Sequence, residues 1–302
     1  MSEVKNLPAS VRQLLLNNAH ANNRPFNEIL QYYVIERFLY RISQSSYSDQ
    51  FILKGALMFL AWGVSIYRPT RDIDFLGFTS NDLDTVNRII QEVCVQKVEP
   101  DGLTFDRSTV QSERISEGTN YEGVRVNLTG FLGKAKIPLQ VDIGFADVVS
   151  PAPISLKYPT ILHMPAPQLR GYPPESVIAE KLQALVFLGS VNSRMKDFYD
   201  LWVLAEQFEF DGRTLQQAIV NTFRRRNTAL PGETPTGLSD AFAAENQAQW
   251  QAFVQRMRLD TVTEAFSDIL QVLNSLFVPP LRASAYGELF EGKWKPEGPW
   301  KF

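Results

Sequence analysis

The chain predicts an α+β fold, with a mixed-sheet core preceded by helices and followed by a helical second domain. Three observations predict it. Apolar residues recur at helical spacing up to about Ser46, β-like segments cluster in the middle third, and helical patterns return beyond a proline-rich stretch at 151–174. These set the expected divisions: 1–150 for the lead-in helices and core, 151–174 for a connector, and 175–302 for a helical domain with an irregular tail.

In the lead-in, Val11, Leu14 and Leu15, then Ile29, Leu30, Val34, Ile35, Phe38 and Leu39, mark two helices separated near Asn22–Pro25. Pro8 suits an early helical position, and Asn27 is placed to cap the second helix. The segment FILKGALMFLAW (51–62) begins β-like and becomes an apolar helix after Lys54-Gly55, implying a tight strand-to-helix turn. Pro69 then excludes helix, and the residues after it alternate polar and apolar, so Asp72 and Asp74 fall on a strand. Residues 81–97 predict an amphipathic helix with an Asn or Asp cap, and 103–116, 122–131 and 137–145 predict strands. Seven prolines between 151 and 174 favour a connector over a core element. Helical patterns follow at 175–189, 194–208, 212–226 and 238–277, and the tail from Pro279 shows no period and is expected along the surface.

Composition excludes several classes of function. Of 302 residues, 44% are hydrophobic and 21% charged, and Lys+Arg (30) do not exceed Asp+Glu (33), so the global basic excess of a sequence-independent nucleic-acid binder is missing. No apolar run reaches the ~18–20 residues of a membrane-spanning helix, and MSEVKNLPAS lacks the apolar segment of a signal peptide. The expectation is a cytoplasmic protein without a membrane partner. A single cysteine, Cys94, rules out an intramolecular disulfide, and with only His20 and His163 a Cys/His zinc site is not expected. Metal chemistry must then rest on carboxylates.

Asp72 and Asp74, two apart on a strand, project from one face and can share a divalent cation. An Asp-x-Asp alone is equally what a surface strand carries. Its setting sharpens it: Lys54-Gly55 and a short helix lie upstream, and the flanking apolar Ile73, Phe75 and Leu76 imply a buried strand. Asp142, between Val141 and Ile143, lies in a second strand. If the strands are neighbours, three carboxylates converge. Three acids holding Mg²⁺ would neutralise a triphosphate and assist its attack by a hydroxyl, which is the chemistry of nucleotidyl transfer. Gly55 would let backbone N–H groups approach the phosphates, and the N-terminus of the next helix would favour their charge.

Four ordered motifs between about residues 50 and 205 resemble a known family. Phe51–Leu57 with RPTRDIDF (68–75), Asp142 on its strand, ESVIAEKL (175–182) and RMKDFYDL (194–201) look like the AbiEii/AbiGii-type nucleotidyltransferase toxins. The resemblance implies a nucleotidyltransferase core of the DNA polymerase β type, Mg²⁺ or Mn²⁺ as cofactor, NTP as substrate, and a role as a toxin countered by a cognate antitoxin protein in a toxin–antitoxin or phage-defence system. It also implies an RNA acceptor, in characterised relatives the 3′ end of tRNA. Asp72 and Asp74 match the metal-binding acids, with Asp142 completing the metal site or acting as base. Lys54, Gly55 and Ala56 match the phosphate turn, Lys181 the phosphate-contacting lysine, and Asp200 or Asp197 the acid of the last motif. Many members carry Gly-Gly or Gly-Ser after the lysine, whereas Ala56 here offers no hydroxyl.

Beside this stand plainer readings. Lys181 borders a core stripe of Val177, Ile178, Leu182, Leu185 and Val186, where a lysine can simply reach solvent. Arg194, Lys196, Asp197 and Asp200 form helical charge pairs. Arg68 and Arg71 flank the acid strand and either contact the nucleotide or balance the acids. Arg224–Arg226 form the densest positive run, suited to an RNA backbone or to solvent, and Tyr199 suits a base or the core. Alternatives to RNA as acceptor are a small molecule or a protein. A non-enzymatic alternative is a partner-binding module with relic carboxylates.

Overall fold

A computed structural model describes residues 6–64, 70–116, 122–259, 262–263, 265–296 and 298–302. They divide into two compact units, one drawn from residues within 1–65, 69–146 and 154–171, the other from 147–153 and 172–302.

In the first unit, α1 (Leu7–Ala21) is capped by Asn6, whose side chain accepts from the Ala9 N–H, with proline in the first turn. The second helix, α2 (Phe26–Gln44), starts after Pro25, so Asn27 lies inside it and does not cap it. The φ fixed by Pro25 ends the preceding turn without a side-chain cap. Then come β1 (Phe51–Lys54), α3 (Leu57–Ala61), β2 (Asp72–Gly77) and α4 (Leu83–Cys94), the last capped by Asp82 on the Thr85 N–H. Strands β3 (Leu103–Ser116), β4 (Glu122–Leu132) and β5 (Ala135–Phe145) form a meander. The proline-rich stretch supplies β6 (Ile154–Lys157) and β7 (Gln168–Gly171), so it is not only a connector. Its prolines stand outside those strands, where a missing N–H breaks no ladder bond.

Among the described residues these seven strands make one mixed sheet in the order β3-β4-β5-β2-β1-β7-β6. Pairing is parallel at β5/β2 and β1/β7 and antiparallel elsewhere. Leu53, Ile73, Phe75, Val124, Val126, Val141 and Ile143 enter a core shared with Val11, Leu15, Tyr33, Phe38 and Ile90 from the helices. Alternation therefore sends Lys54, Asp74, Asp142 and Arg125 to the opposite face.

Within this core α2 carries a buried charge network. Arg41 holds Asp101 through both guanidinium nitrogens at 2.7 and 3.1 Å, and Tyr33 donates to the Asp101 carbonyl. Glu36, 1% exposed, accepts from the Ile161 N–H at 2.7 Å and lies 3.0 Å from the Arg37 Nε. Burial outweighs Arg37 and raises the Glu36 carboxyl to about 7. Between its ordinary value and about 7 the folded chain keeps a proton that the unfolded chain has lost, so stability falls as pH rises through that window. A decline on the order of 3 kcal/mol is expected from this group. Urea midpoints at pH 5 and pH 7.5 should show it in the wild type, and the difference should shrink in Glu36→Gln; an unchanged slope would reject the assignment.

The second unit contains α5 (Pro174–Leu188), α6 (Met195–Gln207), β8 (Phe210–Asp211), α7 (Gly212–Arg225), α8 (Asp240–Met257), α9 (Phe266–Tyr286) and β9 (Lys293–Trp294), with β8 and β9 paired. The pattern at 238–277 is thus two helices, the first ending at Arg258 in a left-handed conformation. The last helix runs through Pro279 and Pro280, contrary to the expected irregular tail. A proline at 280 cannot donate to the Leu276 carbonyl. The Trp300 indole N–H fills that vacancy at 3.0 Å, while Trp294 donates to the Ala205 carbonyl at 2.8 Å. The tail therefore buries its tryptophans instead of lying loosely on the surface. Trp300→Phe should strand the Leu276 carbonyl and lower stability by about 2 kcal/mol, read as a lower urea midpoint.

Candidate active site

Strand register assembles the site. Lys54 on β1 pairs with Asp74 on β2, Asp74 with Asp142 on β5, and Asp142 with Arg125 on β4. Paired positions project from the same face, so Lys54, Asp74, Asp142 and Arg125 form one row across four strands. The next row on that face holds Asp72, Gln140 and Asn127. The three acids thus lie on one face of adjacent strands.

They do not converge as a three-acid cage. Arg125 grips Asp142 as a fork, Nε to Oδ1 at 2.9 Å and Nη2 to Oδ2 at 2.7 Å, and the Gln140 amide adds a bond to Oδ2 at 3.1 Å. Among the described residues no group of three or more Asp, Glu, His or Cys is placed to hold a metal ion. Three of the lone-pair positions of the Asp142 carboxylate are thereby taken by a guanidinium and an amide. Arg125 and Gln140 were missed from the sequence. The available signal was the polar Arg125 between Val124 and Val126, on the same strand face as the acids.

The turn after β1 is built for close approach. Gly55 has φ +69°, and a Cβ there would fall 2.7 Å from the Asp74 Cγ and closer still to its oxygen. The chain backbone and the Asp74 carboxylate are therefore in contact distance only because residue 55 has no side chain. This cradle, with Asp72 two residues away on the same face, fits a divalent cation held by the Asp72 and Asp74 carboxylates. Ala56 is buried and starts α3 without a side-chain cap. That helix has only five residues, so the expected dipole at its N-terminus is slight. Arg71 is exposed immediately before β2, and Arg68 lies outside the described residues.

In the second unit Lys181 on α5 bridges two acids of α6, with Nζ 2.5 Å from Asp197 Oδ1 and 2.9 Å from Asp200 Oδ2. Arg194 stands 3.9 Å from Asp197. Both acids are buried, which replaces the solvated charged face that spacing allowed. A lysine between two desolvated carboxylates is held in place and its charge is compensated. Tyr199 is a core residue against Trp202 and Phe253. Arg224 and Arg225 are exposed, but Arg226 turns to Asp147 at 3.1 Å and Glu180 at 3.3 Å, so the arginine run is not one continuous basic patch.

Comparison with known proteins adds an independent observation. Residues 37–272 match the model of the family described as nucleotidyl transferase AbiEii toxin, type IV toxin–antitoxin system. No curated protein matches the chain. The solved structure of JHP933 from Helicobacter pylori is similar at 15% identity over 84% of this chain and 90% of that one, with a TM-score of 0.43. A second H. pylori structure, described as a candidate nucleotidyltransferase, is similar at 12% identity over 85% of this chain and 96% of that one, with a TM-score of 0.40. No described helix is long and apolar enough to cross a membrane.

Proposed function

The chain belongs to the AbiEii nucleotidyltransferase toxin family of type IV toxin–antitoxin systems, and from that membership we propose that its Asp72–Asp74 face transfers a nucleotide from an NTP to an RNA acceptor, the 3′ end of tRNA. The observation that carries this reading is the Gly55 cradle against Asp74, in a row where Lys54 and Arg125 flank the acids.

Asp72 and Asp74 would hold Mg²⁺ or Mn²⁺, which when bound offsets the triphosphate's charge and stabilises the departing pyrophosphate. Lys54 and the backbone at Gly55 and Ala56 receive the phosphates, with Arg71 at the outer edge. Asp142, fixed by Arg125 and Gln140, would orient the acceptor hydroxyl and take its proton as the oxygen bonds to the α-phosphorus and the bond from that phosphorus to the pyrophosphate oxygen breaks. Within the second unit, Lys181 is the lysine assigned to phosphate contact, and Asp197 and Asp200 hold its ammonium in place. The toxic effect follows if capping of tRNA ends removes them from aminoacylation, and a cognate antitoxin would restrain it; a role in phage defence fits the same effect.

Incubating the protein with Mg²⁺, each α-labelled NTP in turn, and total tRNA or cell protein tests this. Label in the tRNA fraction is expected. Label in the protein fraction alone would redirect the acceptor, and label in neither would overturn the proposal.

A further inference from the structure

A carboxylate offers about four lone-pair positions. On Asp142, Arg125 takes two and Gln140 a third, and all three residues are fixed by strand register. The hydrogen bonds that Arg125 donates to Asp142 hold its guanidinium above its usual pKa, with the charges of Asp142, Asp72 and Glu113 acting in the same direction, so a permanent positive charge stands beside the acid row. Three acids share that face, yet among the described residues no trio of ligands is arranged to take a metal. The Arg125 fork engages the third of these acids.

We propose that Arg125 is a positioning residue that withholds Asp142 from the cation, restricting the cation-holding set to Asp72 and Asp74 so that a divalent ion binds weakly until a triphosphate brings its own oxygen ligands. The inference rests on the reading of Asp72 and Asp74 as the cation-holding pair. Its consequence is opposite in sign to the loss of a merely structural residue. Removing the fork deletes a positive charge from the site and frees a third carboxylate, and both changes favour a divalent cation. At the same time the freed carboxylate loses its fixed orientation, so transfer slows.

Mn²⁺ binding to the full chain, followed by electron paramagnetic resonance without NTP, separates these effects from activity. Arg125→Gln should bind Mn²⁺ about tenfold more tightly than the wild type. Arg125→Lys, which keeps the charge but loses the fork, should show a smaller gain. Arg125→Gln combined with Asp142→Asn should return close to the wild-type affinity, because the freed ligand is gone. Unchanged or weaker binding in a folded Arg125→Gln protein would overturn the inference while leaving the Asp72–Asp74 reading standing. Should Arg125→Gln fail to fold, binding by Arg125→Lys no tighter than the wild type overturns it equally. If the wild type shows no Mn²⁺ binding that Asp74→Asn removes, the Asp72–Asp74 reading itself falls, and this inference with it.

Discussion

Asp74→Asn should abolish nucleotide transfer, by about a thousandfold or more, and with it the growth arrest caused by expressing the chain. The size follows from the several kcal/mol of charge stabilisation that a metal at a phosphoryl centre supplies, at ~1.4 kcal/mol per tenfold in rate. Asparagine keeps the shape of the side chain, so the cradle at Gly55 and the pairing of β2 with β1 and β5 should persist. The alternative, that Asp74 serves only as counter-charge for buried Lys54, predicts the reverse pattern. Removing one partner of a buried pair would cost about 3–5 kcal/mol of stability and leave chemistry in the folded fraction untouched. Thermal melts and labelled transfer on the same preparation distinguish them. A folded Asp74→Asn protein with full transfer activity would refute the assignment of this face.

The mixed sheet and flanking helices were legible because alternation and the 3.6-residue period are written directly in the chain. The Asp72–Asp74 strand was legible for the same reason. What was not legible depends on register and on distant partners. Nothing local to Asp142 announces that Arg125, seventeen residues earlier, closes on it as a fork. Nor does local sequence show that Asp197 and Asp200 are buried around Lys181, since their i, i+3 spacing is common to solvated helices. The helix through Pro279 and Pro280 failed for a related reason: the Trp300 indole that satisfies Leu276 lies twenty-four residues beyond it. The strands at 154–157 and 168–171 were hidden by prolines that fall between them. In each case a local rule was set aside by a partner supplied from elsewhere in the chain.

Gly55→Ala should damage the site as severely as loss of Asp74, for a steric reason. Two costs are separable at this position. The first is backbone strain, since φ of +69° costs a residue with a Cβ about 1–2 kcal/mol. The second is collision, because the added carbon would overlap the Asp74 carboxylate and one of the two must move. Gly63 provides the control. Its φ is +76°, yet a Cβ there meets nothing within 4 Å. Gly63→Ala should therefore lose stability through strain alone, about 1–2 kcal/mol, and retain transfer. Gly55→Ala should lose more stability than Gly63→Ala and also lose Mn²⁺ binding and transfer. Shortening Asp74 removes the two nearest collisions and leaves only its Cβ, 2.9 Å from the added carbon, so adding Asp74→Ala to Gly55→Ala should restore part of the lost stability, a non-additivity expected only of residues in contact. Transfer would stay absent in the double variant, because the acid is gone. Equal melting losses in the two glycine variants, with activity retained in both, would mean that the Gly55 turn bears strain but does not shape the site.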